Sequence, residues 1–174
     1  LGPLKLDKAR FRVAVEPLPD ERAGADGADR VAFEVQTNPG APWGGLNAIA
    51  SGGELARFAL ALKASLAGRE GISPLMIFDE VDQGVGGAVA DAVGLRLKRL
   101  AERGQVLVVT HSPQVAARGA AHFFIAKSHD GTVTRTGVRA LDDADRREEI
   151  ARMLSGATVT DEARAQAERL LEDA

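Results

Sequence analysis

The chain has 174 residues, which is enough for one domain with a buried core. Its net charge of −3 argues against a strongly basic nucleic-acid-binding surface, and the absence of cysteine excludes disulfides and thiolate metal sites. No apolar run approaches the length that crosses a bilayer, so we predict no membrane partner. Because the sequence opens on Leu1 rather than methionine, we expect a piece of a longer protein.

Two strands joined by a loose hairpin are predicted first. Apolar residues alternate with polar or small ones over residues 11–15 and again over residues 31–35, which is typical of half-buried strands. The intervening residues 17–29 are rich in Pro, Gly and Asp, as expected of a connecting loop. The Asn-Pro-Gly sequence at residues 38–40 would end the second strand.

A helix and a strand–helix–strand unit are predicted next. Ser51 is a good N-cap for an Ala- and Leu-rich helix that reaches about Ala67. Residues 75–78 are apolar without alternation, which is typical of a strand buried on both faces, and residues 105–110 are predicted to be a second strand of this kind. The helix between these strands has four apolar residues on one face: Val89, Val93, Leu97 and Leu100. This order implies a right-handed crossover and a parallel sheet.

A second hairpin and two helices complete the predicted elements. Residues 122–127 and 132–138 would pair around a turn at residues 129–131. Helices over residues 143–154 and 160–172 would follow. The succession of elements predicts an α/β protein.

The first motif that suggests chemistry is Ser51-Gly52-Gly53-Glu54, at the start of the first predicted helix. Two glycines let the backbone approach a ligand closely, and free N–H groups at a helix start favour an anion. The Ser51 hydroxyl would add a donor to a phosphate oxygen. A plain N-cap after a flexible loop is the structural alternative.

The second motif is Asp79-Glu80, directly after a predicted buried strand. In open α/β sheets, ligands collect at the carboxyl ends of strands. Asp79 would hold Mg²⁺ there, directly or through water, because magnesium prefers oxygen ligands and keeps several waters. Glu80 would orient or deprotonate an attacking water. The alternative is a strand end that reaches solvent, where acidic residues are common.

The third motif is His111, which ends the next predicted buried strand and precedes a short helix that starts at Ser112-Pro113. Its ring would donate to a γ-phosphate oxygen; a capping or buried structural histidine is the alternative. His122 and His129 lie in the predicted hairpin and are interpreted as structural. The three histidines lack metal-ligand spacing, so no zinc site is predicted.

In this order the three motifs supply an anion cradle, a metal-binding carboxylate with an adjacent base, and a polar sensor. These are the parts needed to handle a nucleotide γ-phosphate. The chain contains no Gly-x-x-x-x-Gly-Lys-Ser/Thr sequence, the loop that grips the phosphates of a bound nucleotide. We therefore interpret the chain as half of an ATPase.

These motifs resemble the C-terminal lobe of an ATP-binding-cassette (ABC) ATPase head. Residues 51–54 match the signature motif of that family, residues 75–80 match its Walker B motif, and His111 matches its switch histidine. The sequence departs from the wider pattern at Ala50, where a leucine is usual. It departs again at Gly86, where related heads carry the aspartate of the D-loop, so that cross-dimer contact is not carried over.

Within the ABC family, residues 36–40, 49–57 and 78–87 resemble the RecN family of bacterial DNA repair proteins. The resemblance implies ATP and Mg²⁺ as cofactors, a homodimer through ATP-sandwiched heads, and an N-terminal lobe and coiled coil elsewhere in the protein. It also implies DNA as a partner of the full-length protein, a role in double-strand break repair and recombination, and a cytoplasmic, nucleoid-associated location.

The resemblance also implies how the site residues divide between protomers. The signature residues Ser51, Gly52, Gly53 and Glu54 would contact the γ-phosphate held by the partner protomer. Asp79, Glu80 and His111 would act within their own protomer, with Asp79 at the metal and the other two in catalysis. The chain alone is therefore predicted to be inactive without the N-terminal lobe.

The implied fold is an α/β, P-loop-NTPase-like C-terminal lobe over residues 1–174, with a mainly parallel sheet flanked by helices and an N-terminal antiparallel hairpin. It would comprise a β-hairpin segment (1–45), a signature, Walker B and switch-histidine region (46–118), and a second hairpin with C-terminal helices (119–174). The alternatives are another chromosome-maintenance or recombination ABC head, a non-hydrolysing ABC-fold interaction module, and an ABC transporter subunit. The Asn-Pro-Gly segment is out of place in the last.

Overall fold

The computed structural model describes residues 6, 8–46, 52–66, 75–129, 134–156 and 158–173. The chain divides into two compact units, Leu1–Leu66 and Ala67–Ala174. The strands are β1 (Arg10–Pro17), β2 (Asp29–Gln36), β3 (Gly44–Gly45), β4 (Met76–Asp79), β5 (Val106–Val109), β6 (Phe123–His129) and β7 (Thr134–Ala140). The helices are α1 (Gly52–Leu66), α2 (Gly87–Ala101), α3 (Pro113–Ala117), α4 (Asp143–Ser155) and α5 (Asp161–Glu172). Within the described ranges, no helix is both long and apolar enough to cross a membrane.

The described part of the first unit contains an antiparallel sheet, the helix α1 and a single 3₁₀ turn at Asp20–Arg22. β1 and β2 form the predicted hairpin, and β3 pairs antiparallel with β2. Near the open end of the hairpin, away from its connecting loop, the Phe11 ring lies 5.7 Å from the Phe33 ring and 5.4 Å from the Phe58 ring of α1. Val35, the cross-strand partner of Phe11, is buried. The aromatic contacts thus join the hairpin to α1.

The second unit contains the predicted parallel pair. β4 and β5 are parallel and in register from Met76 opposite Val106 to Asp79 opposite Val109. The other two sheets, β1-β2-β3 and β6-β7, are antiparallel. Parallel pairing therefore accounts for a smaller part of the described chain than a mainly parallel sheet would require. A parallel pair needs a crossover of about a dozen residues or more, and α2 supplies the crossover from β4 to β5.

The prediction that β4 and β5 are buried on both faces is wrong for this chain. Phe78 is buried on one face, but Ile77, Leu107 and Val109 on the other face are 58%, 47% and 43% exposed. Successive residues of a strand point to opposite faces, so these three side chains form a single open apolar surface. An unbroken apolar run shows that both faces need a cover, but it does not show which part of the protein supplies each cover.

α2 packs through the face that its apolar spacing predicts. Its buried residues are Ala90, Val93, Gly94, Leu97 and Leu100. Gly94 lies where α2 packs closely against α3, since a Cβ at this position would lie 3.1 Å from the Gln114 carbonyl oxygen and 3.2 Å from the Val115 Cα. The missing side chain at Gly94 therefore permits the close approach of the two helices.

The C-terminal part follows the predicted order of a hairpin and two helices. β6 and β7 pair antiparallel, although their predicted turn lies mostly outside the described residues. Asp142 caps α4 by accepting from the Asp145 N–H, and Thr160 caps α5 by accepting from the Ala163 N–H. Both helices pack on α3 through a buried cluster: Ala117, Ile150, Ala151, Ala163 and Ala167. The division into segments 1–45, 46–118 and 119–174 stays a prediction.

Candidate active site

The structure brings Asp79, Glu80 and His111 to the same edge of the parallel pair. Asp79 is the last residue of β4, and Glu80 follows it. The Glu80 N–H donates to the carbonyl oxygen of Val109, the last residue of β5, at 3.0 Å. His111 lies two residues beyond Val109 and, like both carboxylates, is exposed. The carboxyl ends of adjacent parallel strands thus present an acid pair and a histidine to solvent, as the sequence predicts.

Glu80 has an unusual backbone conformation. Its φ is +47°, in the left-handed region that a residue with a side chain seldom adopts. Such a conformation costs roughly 1–3 kcal/mol and persists when the surrounding structure imposes it. The Gln83 N–H donates to the Glu80 carbonyl oxygen at 2.9 Å, which closes a tight turn directly after the strand. This turn projects the Glu80 carboxylate from the sheet edge.

Asp79 stands at the end of the open apolar face. Its position in β4 places it on the same face as Ile77, opposite Val109 of β5. Among the residues that the structure describes, no group of three His, Cys, Asp or Glu side chains could hold a metal. A metal at Asp79 would therefore draw most of its ligands from phosphate and water. Magnesium is commonly bound in this way, by one or two carboxylates with phosphates and waters, so the donor set fits Mg²⁺.

A buried polar network links the turn that follows the acid pair to the segment that follows β5. Asp82 is fully buried, and its Oδ2 accepts a hydrogen bond from the Thr110 hydroxyl. The Ser112 N–H in turn donates to the Thr110 Oγ1 at 2.9 Å, and the buried Ser112 hydroxyl donates to the Gln114 side chain at 2.9 Å. Thr110 and Asp82 lie 28 positions apart, so no local periodicity in the sequence indicates that they are in contact.

The signature residues belong to the first unit. Gly52, Gly53 and Glu54 are the first residues of α1, as predicted for a loop that becomes a helix. Ser51 lies outside the described residues, so its predicted N-cap and its phosphate contact stay predictions. At the D-loop position, Gly86 is the N-cap residue of α2, and a Cβ built there would meet no atom within 4 Å.

His122 is half-buried beside α4, in keeping with the structural interpretation. Burial lowers the pKa of its ring below the ordinary value, the nearby Arg146 guanidinium lowers this pKa further, and Glu149 partly opposes both effects. Its Nδ1 is buried and has no hydrogen-bond partner in the described part of the chain. The side chain of His129 lies outside that part.

The sequence is similar to curated RecN proteins over nearly its whole length. It is 43% identical over 173 residues to DNA repair protein RecN of Xylella fastidiosa strain 9a5c, covering 99% of this chain and 31% of that protein. It is 48% identical over 184 residues to RecN of Streptomyces coelicolor, covering 100% of this chain and 32% of that protein. The predicted RecN resemblance is confirmed. The chain spans about a third of the length of these relatives, and no protein-family model matches it.

Solved structures of SMC heads share the fold. The Smc head domain with a coiled coil and joint from Pyrococcus yayanosii aligns with a TM-score of 0.59 at 22% identity, over 86% of this chain and 26% of that one. A chain from a study of ATP-driven dimerisation and DNA-stimulated activation of SMC ATPases aligns with a TM-score of 0.52 at 20% identity, over 87% and 85% of the two chains. The predicted fold, that of an ABC-type ATPase head, is confirmed.

Proposed function

We propose that this chain is the C-terminal lobe of a RecN-type ATPase head, which hydrolyses ATP to ADP and phosphate when its own N-terminal lobe completes it. The sequence similarity to RecN and the shared fold with SMC heads support the proposal. In the complete protein, this head would act in DNA double-strand break repair and recombination. DNA would be bound by the full-length protein, in the cytoplasm at the nucleoid.

The open apolar face that ends at Asp79 carries the most weight for this proposal. Within the part of the chain that the structure describes, Ile77, Leu107 and Val109 are exposed on this face, whereas burial of apolar surface is worth about 25 cal/mol per Å². A lobe that covered the face would reach the edge at which Asp79 and Glu80 stand. We infer that the N-terminal lobe is this cover, and that it brings the missing phosphate-gripping loop to the acid pair.

Each residue at the strand ends then has a distinct role. Asp79 would bind Mg²⁺, directly or through water. Glu80 would take a proton from the attacking water, since its carboxylate is exposed at the sheet edge. His111, beyond the neighbouring strand, would donate a hydrogen bond to a γ-phosphate oxygen. Bound ATP supplies the phosphoanhydride bond that is cleaved, and Mg²⁺ offsets the charge of its phosphates.

The start of α1 would serve the partner protomer of a homodimer. A helix leaves its first four N–H groups without intrahelical partners, and its N-terminus carries partial positive charge. Gly52 and Gly53 begin a helix of 15 residues, so they present such groups without side chains that would block a ligand. Together with Ser51 and Glu54, they would contact the γ-phosphate held by the other head, which makes ATP the link between two protomers.

The test is Glu80→Gln in the complete protein. We expect ATP binding to persist while kcat falls by about 10²–10⁴-fold, the loss typical of a removed general base. An ATP-bound head dimer should accumulate, as measured by size-exclusion chromatography with light scattering. Glu102→Gln, the same change at the exposed C-terminal end of α2, should keep wild-type turnover. Wild-type turnover in Glu80→Gln would exclude Glu80 as the base, and ATP binding without turnover in the unmutated protein would indicate an interaction module.

A further inference from the structure

The side-chain hydrogen bond described for the Glu80 carboxylate is weak. Its Oε2 accepts from the Gln83 amide at 3.4 Å, at the long end of the hydrogen-bond range, and both side chains are exposed. The direction of the carboxylate therefore depends on the backbone of residue 80. That backbone is held in a left-handed conformation, so the anchors of the following turn decide where the carboxylate lies.

Three anchors tie this turn to β5 and to the interior. The first is the Glu80 N–H to Val109 carbonyl bond, which extends the parallel ladder by one residue. The second is Val81, whose side chain is fully buried directly after Glu80. The third is the hydrogen bond from Thr110 to Asp82, which joins the turn after β4 to the segment after β5. The two residues of this last bond flank the site, because Thr110 immediately precedes His111.

The Asp82 contact is not explained by stability alone. Asp82 is fully buried, and no residue that the structure describes gives its Oδ1 a hydrogen-bond partner. A buried carboxylate that is only partly satisfied is unfavourable, and well-packed apolar residues at such sites are often as stable or more stable. A polar pair at this buried position specifies one arrangement of the two loops, since the bond forms only when Thr110 and Asp82 face each other.

We propose that Asp82 and Thr110 are positioning residues that hold Glu80 and His111 in fixed relation across the two strand ends. The inference rests on the proposed ATPase function and deepens it. In this proposal the pair acts by fixing the turn that carries the base and the segment that carries the histidine, rather than through a contact of its own with nucleotide or metal. Displacing a catalytic group by about 1 Å can cost about 10²-fold in rate, so the pair affects turnover rather than nucleotide affinity.

The test compares Thr110→Val with Thr110→Ser in the complete protein. Valine keeps the shape of threonine but removes the hydroxyl, whereas serine keeps the hydroxyl and is the matched control. Thr110→Val is expected to lower kcat by about 10–100-fold with an unchanged KM for ATP, and Thr110→Ser to retain turnover. An equal loss in both variants, or wild-type kcat in Thr110→Val, overturns the inference.

A second arm separates positioning from general destabilisation. Thr110→Val is repeated in the Glu80→Gln background and assayed in single-turnover experiments with excess enzyme. If Thr110 acts by positioning Glu80 against His111, its substitution causes a smaller further loss there, because one of the two positioned groups is already removed, whereas a structural defect lowers the rate by the same factor in both backgrounds. The same factor in both therefore overturns the inference. If Glu80→Gln by itself keeps wild-type turnover, the proposed function fails, which is a different result.

A third variant covers the case in which Thr110→Val does not fold. The double variant Asp82→Val/Thr110→Val removes both partners, so neither is left buried without its hydrogen bond, and such exchanges are often tolerated. Its folding is measured by circular dichroism and its turnover by phosphate release. We expect a folded protein with kcat reduced by about 10–100-fold at unchanged KM for ATP. A folded double variant with wild-type kcat overturns the inference.

Discussion

The contact between α2 and α3 can be tested by adding a single methyl group at Gly94. In Gly94→Ala, the new Cβ would lie 2.9 Å from the Arg118 Cγ, 3.1 Å from the Gln114 carbonyl oxygen and 3.2 Å from the Val115 Cα. The Arg118 side chain can shift, although its guanidinium is ion-paired with Asp91 at 2.8 Å. The other two atoms are backbone atoms, so α3 itself must move.

Two opposing effects determine the size of the change. Alanine in place of glycine favours a helix interior by about 1 kcal/mol. Overpacking of a close contact typically costs about 1–3 kcal/mol, and the upper part of this range applies because backbone must move. We therefore expect Gly94→Ala to lower the free energy of unfolding by about 1–2 kcal/mol, against the gain that helix propensity alone predicts.

Urea unfolding followed by circular dichroism measures this difference, with an unchanged m-value as the sign that only stability has altered. Gly137→Ala is the control, because a Cβ at Gly137 would meet no atom within 4 Å. α3 begins two residues after His111, so Gly94→Ala should also lower turnover in the complete protein. A Gly94→Ala protein that is more stable than the unmutated one would refute the described contact between α2 and α3.

Three further substitutions test the remaining assignments. Asp79→Asn should raise the magnesium concentration needed for turnover, since mass action offsets a weakened site; an identical magnesium dependence would remove Asp79 from the metal's surroundings. Ser51→Arg should nearly abolish turnover of the complete protein, and mixing it with a variant defective in the phosphate-gripping lysine should restore part of the activity. Full activity of Ser51→Arg alone would exclude a contact between Ser51 and the γ-phosphate held by the partner protomer. The pKa of His122 is lower in the folded than in the unfolded protein, so protonation favours unfolding as the pH falls below about 6.5. His122→Gln should therefore reduce the loss of stability in this pH range, as measured by urea unfolding. An unchanged dependence of stability on pH would show that His122 contributes nothing.

The order of the elements was predictable because its signals are local. Alternation identified the hairpin of β1 and β2, and apolar runs identified β4 and β5. The burial of β4 and β5 was predicted wrongly for a different reason. Whether Ile77 and Leu107 are covered depends on what packs against the second face, and a run of apolar residues carries no information about that.

The same distinction between local sequence signals and long-range contacts applies to the candidate site. Asp79 and Glu80 were predictable because acidic residues that follow an apolar run mark a strand end, and parallel pairing brings the next strand end beside them. The buried Asp82 was not assigned, since its partner Thr110 lies on another loop and only the folded register brings the two together. The left-handed conformation of Glu80 was also beyond sequence inference, because glutamate has no preference for it.

If Glu80 is the general base that we propose, its left-handed backbone conformation favours stability and catalysis in opposite ways at residue 80. Glycine adopts a positive φ without steric cost, so replacing Glu80 with glycine relieves the local strain while deleting the carboxylate. Selection for folding alone would therefore favour a residue that cannot act as a base, and only selection for turnover would retain glutamate. A screen for thermostable variants that does not measure ATP hydrolysis would select substitutions at this position and would return well-folded, inactive heads.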